Sequence, residues 1–185
     1  GGDVTITAGA GVQDVAGNGI GSPNSGTAVG AGVGIAPTVV SVQRLVPVGQ
    51  FTNADSITWR VTFSEAVSDV AYGDFTVSQV AGTNAGLGAG TVSGASGTAI
   101  NVTAGPTITG SGELRLDVIG ATAAIVDAAG NDLTADFTAG QTYLADKASP
   151  TLDSIPERIT GDTTPEIASG ASDDNSGVAS VQISV

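Results

Sequence analysis

Cysteine, methionine and histidine are all absent from this chain of 185 residues. Without cysteine there are no disulfides, no thiolate nucleophile and no thiolate metal site. Without histidine the commonest general base and the commonest transition-metal ligand are missing. A Ser-His-Asp triad and a histidine-built zinc hydrolase are therefore excluded within these residues. Basic residues are nearly as scarce, five against eighteen acidic ones, for a net charge of −13. That balance argues against nucleic acid as a partner, because phosphate contacts need a Lys/Arg surface. It disfavours an anionic membrane surface for the same reason. No apolar run reaches the 18 or so residues of a spanning helix, so no membrane insertion is expected. Aromatic residues number seven. Paired carboxylates can hydrolyse glycosides, but nothing here hints at an aromatic-lined cleft to hold the sugar, and the acids are scattered among turns. The sequence is read as a non-enzyme.

Apolar residues at helical spacing are also missing, and glycine and β-branched residues punctuate every window. Strand patterns take their place. Ile57, Trp59, Val61 and Phe63 alternate with Thr58, Arg60 and Thr62, which puts the large apolar side chains on one face. Leu114, Leu116 and Val118 alternate with Glu113, Arg115 and Asp117 in the same way. Weaker strands are expected at Thr38–Arg44, Phe75–Val80, Gly90–Ser93, Ala99–Thr103 and Thr142–Ala145. About seven short strands separated by Gly/Asn/Asp/Ser turns predict an all-β fold, an antiparallel β-sandwich. Trp59, the single tryptophan, reads as a core anchor. The glycine-rich stretches Gly26–Gly34 and Gly86–Gly90 read as long mobile loops, since no lysine and no helix follow to make a phosphate loop. Asn101-Val102-Thr103 matches a glycosylation sequon but falls in an expected strand.

A long-range repeat organises the chain. Asp14-Val15-Ala16-Gly17-Asn18 returns as Asp127-Ala128-Ala129-Gly130-Asn131, an offset of 113 residues. The same offset carries Pro37-Thr38 onto Pro150-Thr151, Ser41 onto Ser154, Val42 onto Ile155, Ile6 onto Ile119 and Ile20 onto Leu133. The period exceeds the roughly 20–50 residues of a solenoid repeat. It matches one small domain of about 100 residues or more. Three units follow: residues 1–36 as the end of one domain, 37–149 as a complete domain, and 150–185 as the start of another. The third departs from the second after Ile155 and has no counterpart to the Trp59 strand, so it reads as a different subtype. The chain opens on Gly1 without any methionine, which reads as an internal or processed piece of a longer protein. The short Pro-containing junction Leu144–Pro150 implies a semi-rigid array.

Three places could hold a cation, and calcium is the metal that suits oxygen ligands without histidine. In the repeated turn, Asp127 and Asn131 (and their copies Asp14 and Asn18) serve equally as turn formers, with Gly130 free to adopt positive φ. Asp173-Asp174-Asn175-Ser176-Gly177 resembles the first half of an EF-hand loop but lacks the later acidic ligand, so a solvated turn competes with a metal site. Asp146, at the junction, becomes a candidate if Glu65 or Asp153 folds beside it. Asp146, Asp173, Asp174 and Asn175 are the candidate calcium ligands.

Val61-Thr62-Phe63-Ser64-Glu65-Ala66-Val67, Asp74-Phe75-Thr76 and Ile125–Asn131 together resemble the bacterial Ig-like repeats of very large surface and secreted adhesins. Asp162-Thr163-Thr164-Pro165 through Val181 resembles a second Ig-like type found in such proteins. The resemblance covers nearly the whole chain. It implies tandem Ig-like sandwiches at the bacterial cell surface or outside the cell, acting as a semi-rigid spacer or multivalent adhesive stalk. Neighbouring repeats are the implied partners, together with a surface glycan or matrix protein. Two alternatives stand beside it. One is a glycan- or protein-binding module using loop aromatics such as Tyr72 and Phe51. The other is a filament subunit assembled by strand exchange.

Overall fold

The computed structural model describes residues 4–7, 25–28, 34–86, 89–152, 170–174 and 176–181. Its strands are, in chain order, β1 (Val4–Thr7), β2 (Ser25–Ala28), β3 (Val39–Val46), β4 (Phe51–Thr52), β5 (Ile57–Ser68), β6 (Phe75–Gly86), β7 (Thr91–Val92), β8 (Gly97–Ala104), β9 (Thr109–Val118), β10 (Val126–Asp127), β11 (Thr142–Ala145), β12 (Thr151–Leu152) and β13 (Ala171–Ser172). One 3-10 turn, Tyr72–Asp74, is the sole helical element among the described residues. The fold is all-β, as the strand periodicity requires.

Residues 39–145 build two sheets. In the first, β5 is the axis: β3 and β10 pair with it, β8 pairs on it in turn, and β7 follows β8, all antiparallel. The second runs β4-β11-β9-β6 and is antiparallel except for the parallel pair β4–β11. The burial of β5 alternates as its sequence does, with Ile57, Trp59, Val61 and Phe63 inside. β9 contributes Leu114, Leu116 and Val118, all fully buried. Each such side chain removed from water contributes about 1.5–3 kcal/mol. The inward faces of the two sheets share one core, which lies between Val42 and Ala145. Trp59 of the first sheet meets Tyr143 of the second edge-on, ring centroids 5.1 Å apart. The Tyr143 hydroxyl lies 2.7 Å from the Pro47 carbonyl and 2.8 Å from that of Thr58, and it accepts the Leu45 N–H at 3.1 Å. One phenol thus ties β11 to the opposite sheet.

Two expectations need correction. Ser25–Ala28 lies in β2, paired with β1, and Gly86 ends β6, so neither glycine-rich stretch is wholly loop. Glycine and small residues pack weakly in a strand, yet they leave the backbone ladder intact where a partner strand supplies the hydrogen bonds. The irregular register between Thr83 and Gly86 marks where that weakness is accommodated. β5 also runs five residues past Phe63, because the pairing resumes at Val67–Gly97 and β10 adds Val67–Asp127.

The chain enters and leaves this unit at opposite ends of β5. On entry, the Thr38 carbonyl accepts the Ser64 N–H at 2.9 Å, and Val39 lies opposite Phe63. On exit, the Asp146 N–H bonds the Thr52 carbonyl at 2.8 Å, and Lys147 pairs with Asp55, just ahead of Ile57. From Ile57 to Phe63 a strand advances about 20 Å.

Candidate functional site

The entry end is formed by the repeated turn. Asp127 is only 5 % exposed. Its Oδ1 accepts the N–H groups of Ala129 and Asn131, both at 2.8 Å, and its Oδ2 accepts the Asn131 side-chain amide at 2.7 Å. Gly130 sits at φ +82°, in the left-handed region that glycine reaches without strain, and its N–H closes on the Asp127 carbonyl at 3.1 Å. Every oxygen of the carboxylate thus faces a donor of its own turn, and the turn reading of these residues accounts for their chemistry. Gly34 lies over this turn: a Cβ added there would stand 2.8 Å from Asn131 Nδ2. The copies Asp14 and Asn18 lie outside the described residues.

The Asn131 side chain, then the Asn131 and Ala129 N–H groups, hold the Asp127 carboxyl below its ordinary pKa, against the upward pull of burial. A lowered folded-state value means a contribution to stability that is complete above the unfolded pKa near 3.9 and lost as pH falls through the lower folded value. Asp127→Asn is therefore expected to lower the urea midpoint at pH 7 and to narrow its gap to wild type at about pH 2. A gap of constant size across that range would contradict this account.

At the exit end stands Asp146, also 5 % exposed. Its Oδ1 accepts the Ala148 N–H at 3.0 Å and the Ser111 hydroxyl at 3.2 Å, and its Oδ2 accepts the Ser176 N–H at 3.0 Å. Asp173 Oδ1 accepts the same Ser176 N–H at 3.0 Å, the Gly177 N–H at 3.1 Å and the Ser176 hydroxyl at 3.4 Å. The Ser176 side chain contributes most to holding the Asp146 carboxyl below its ordinary pKa. Burial opposes it, and the Ala148 N–H, the Ser111 hydroxyl and the Ser176 N–H add to it.

The structure thus brings Asp146 and Asp173, two of the four candidate calcium ligands, onto one N–H. Asp174 is exposed beside them, and Asn175 lies outside the described residues. Glu65 does not join Asp146. It lies on β5 beyond Phe63, at the entry end, while Asp146 neighbours the Ile57 end. Asp153 lies outside the described residues. Among the described residues no three His, Cys, Asp or Glu side chains gather as a metal group. The oxygens of Asp146 face N–H and O–H donors, an arrangement that suits a hydrogen-bonded junction better than a cation.

A cleft of 460 Å³ opens beside this carboxylate pair, lined by Pro47, Phe51, Asn53, Asp146, Pro150 and Asp173 among others. Phe51 is 55 % exposed there. Phe51 itself lies in β4, not in a loop, and Tyr72 is half-buried against the core, with the backbone of Gly90 packed directly on its ring. The loop expectation for Tyr72 therefore gives way: the 3-10 turn directs it inward. The remaining buried acids are structural. Asp74 accepts the N–H of Ala71 at 2.7 Å and of Ala124 at 2.9 Å. Asp117 is held by Arg115 at 2.6 Å and by the Ser78 hydroxyl at 2.6 Å. Sequence reasoning missed Ser111 and Ser176. The signal for Ser176 was present in the spacing Asp173 to Ser176, which suits an Asp-capped turn, whereas Ser111 carries no local signal. Asn101 lies within β8, opposite Arg60, and its N–H donates to Ser93 Oγ.

No protein-family model, no curated protein and no solved structure matches the chain. No helix among the described residues is long and apolar enough to cross a membrane.

Proposed function

We propose that residues 37–149 are an Ig-like β-sandwich within a tandem array, and that the array is a structural or adhesive module of a large bacterial extracellular or cell-surface protein. Its task is to act as a semi-rigid spacer or a multivalent stalk, without catalysis. The observation that carries this reading is the placement of entry and exit at opposite ends of β5. A domain threaded that way adds its own length with every copy, whereas one with adjacent termini adds little. The shared core of the two sheets, with Trp59 against Tyr143, supports the sandwich. The short linker through Pro150 supports stiffness. Repetition would let weak contacts add through effective concentration.

Antibody raised against residues 37–149 is expected to label intact, unpermeabilised cells of the source organism or to find the protein in the culture fluid. Signal confined to the interior of lysed cells would contradict the assignment.

The binding-module alternative has one observation in its favour, the half-exposed Phe51 in the junction cleft. A glycan or matrix-protein array probed with the multi-repeat protein separates it from a pure spacer. Filament assembly by strand exchange is less favoured. Among the outer strands, β3 and β6 carry register irregularities, at Val39/Ser41 and Arg44/Val46 and at Gln79/Ala81 and Thr83/Gly86, and β4 and β7 are only two residues long. Such bulges blunt an edge against further pairing. Calcium ranks behind direct hydrogen bonding at Asp146 and Asp173. A melting temperature raised by millimolar calcium over chelator would reverse that order, because a ligand of the folded state must stabilise it.

A further inference from the structure

Asp146 is the point where three separate pieces of chain converge: Ser111 from β9, Ala148 from the linker and Ser176 from the segment that follows. The last of these bonds crosses the junction, so it can resist rotation of the following segment where a linker alone cannot. Lys147, the chain's single lysine, offers no competing ion pair. Its ammonium is engaged by Asp55 at 2.8 Å and by the Asn53 carbonyl. Asp173 closes the other half of the contact, since it organises the turn that presents the Ser176 N–H. Two carboxylates on one N–H would repel if left bare. Here the Ala148 N–H and Ser111 hydroxyl supply donors to the first, the Gly177 N–H supplies one to the second, and the Ser176 hydroxyl lies between the two carboxylates. At the upstream junction the sequence offers no carboxylate at the matching position. The 113-residue offset places Val33 where Asp146 stands, and the described contact there is Gly34 against the Asp127 turn.

We propose that the Asp146 carboxylate is an inter-unit clasp, which fixes the following segment in one orientation by binding the Ser176 N–H. The two ends of the domain are then joined by different means, a glycine seated on a turn upstream and a carboxylate clasp downstream. The bond is charge-assisted, the stronger class of hydrogen bond, and its acceptor Asp146 is buried. The proposal rests on the reading of the chain as serial units, but its test is independent of where the protein resides.

The chain has no cysteine, so a pair of spin labels at Thr107→Cys and Ala179→Cys, both exposed, reports one distance across the junction. The full chain is expected to give a single narrow distribution in chelator. Asp146→Asn keeps the shape but replaces one acceptor oxygen by an amide donor, and the width should double or more. Ser176→Pro removes the N–H from the opposite side and should do the same, so the test survives if the Asp146 variant fails to fold. Trp59 emission reports whether the domain is intact in each. Equal widths in wild type and in the folded variants would overturn the clasp. A wild-type distribution that narrows only with calcium would also overturn it, in favour of a metal bridge. A broad wild-type distribution would overturn it while leaving the surface-spacer reading to its own test on intact cells.

Discussion

Replacing Trp59 by alanine is expected to remove most of the domain's stability. The side chain is fully buried, its Nε1–H donates to the Gln141 carbonyl at 2.9 Å, and its ring stands edge-on to Tyr143. Trp→Ala changes in cores cost about 3–5 kcal/mol, through lost transfer energy and the cavity left behind. The aromatic pair adds roughly 1 kcal/mol beyond area. Against a total of about 5–15 kcal/mol for a domain, that loss leaves little or nothing. Trp59→Phe separates the parts: it keeps most of the packing, forfeits the bond to Gln141, and should cost about 1–3 kcal/mol. Urea unfolding followed by circular dichroism reads both. An alanine variant whose midpoint stays near that of wild type would show that the sheets do not depend on this anchor.

Gly120→Ala is expected to be nearly as damaging for the opposite reason. A Cβ at residue 120 would stand 2.3 Å from both the carbonyl carbon and the oxygen of Thr134, and 2.7 Å from Ala135 N. These are backbone atoms, so no side-chain rotation relieves the clash. The segment that would have to move carries the Phe137–Val118 bridge, with bonds of 2.9 and 3.0 Å, and Asp136, which accepts the Gly120 N–H at 2.9 Å. Overpacking of this kind costs about 1–3 kcal/mol, a fall in melting temperature on the order of 10 °C for a domain this size. Gly73→Ala is the control, since nothing lies within 4 Å of its added Cβ. Equal melting temperatures for the two variants would contradict the close approach at Gly120.

What the sequence conveyed divides along a physical line. Alternation exposed β5 and β9, because a half-buried strand must place its large apolar residues at every second position. Trp59 could be assigned to the core from its neighbours alone. The two-residue strands β4 and β10 carry no periodicity, and they exist only because β11 and β5 present free hydrogen-bonding edges to them. The Asp127 turn was legible because Asp, Gly and Asn each have a local reason to be there. Gly120 was not, since its need for a bare Cα arises from Thr134, which reaches it only in the folded chain. Asp146 was noticed at the junction and Asp173 in an EF-hand-like turn. Their meeting on Ser176 N–H depends on how the following segment lies against the exit end, which no local pattern encodes. Glu65 was named beside Asp146 as an acid that could fold near it, and the direction of β5 separates them.

The central claim is that the domain is threaded end to end. It is tested most directly by the distance between spin labels at Ile35→Cys and Ala148→Cys, both exposed and one on each side of the domain. From Val67, beside the turn that seats Gly34, to Ile57, beside the exit, a strand covers about 33 Å, so a separation of about 30 Å or more is expected. A separation under about 15 Å would place entry and exit on the same end, less than half the span of that strand, and would contradict the spacer account.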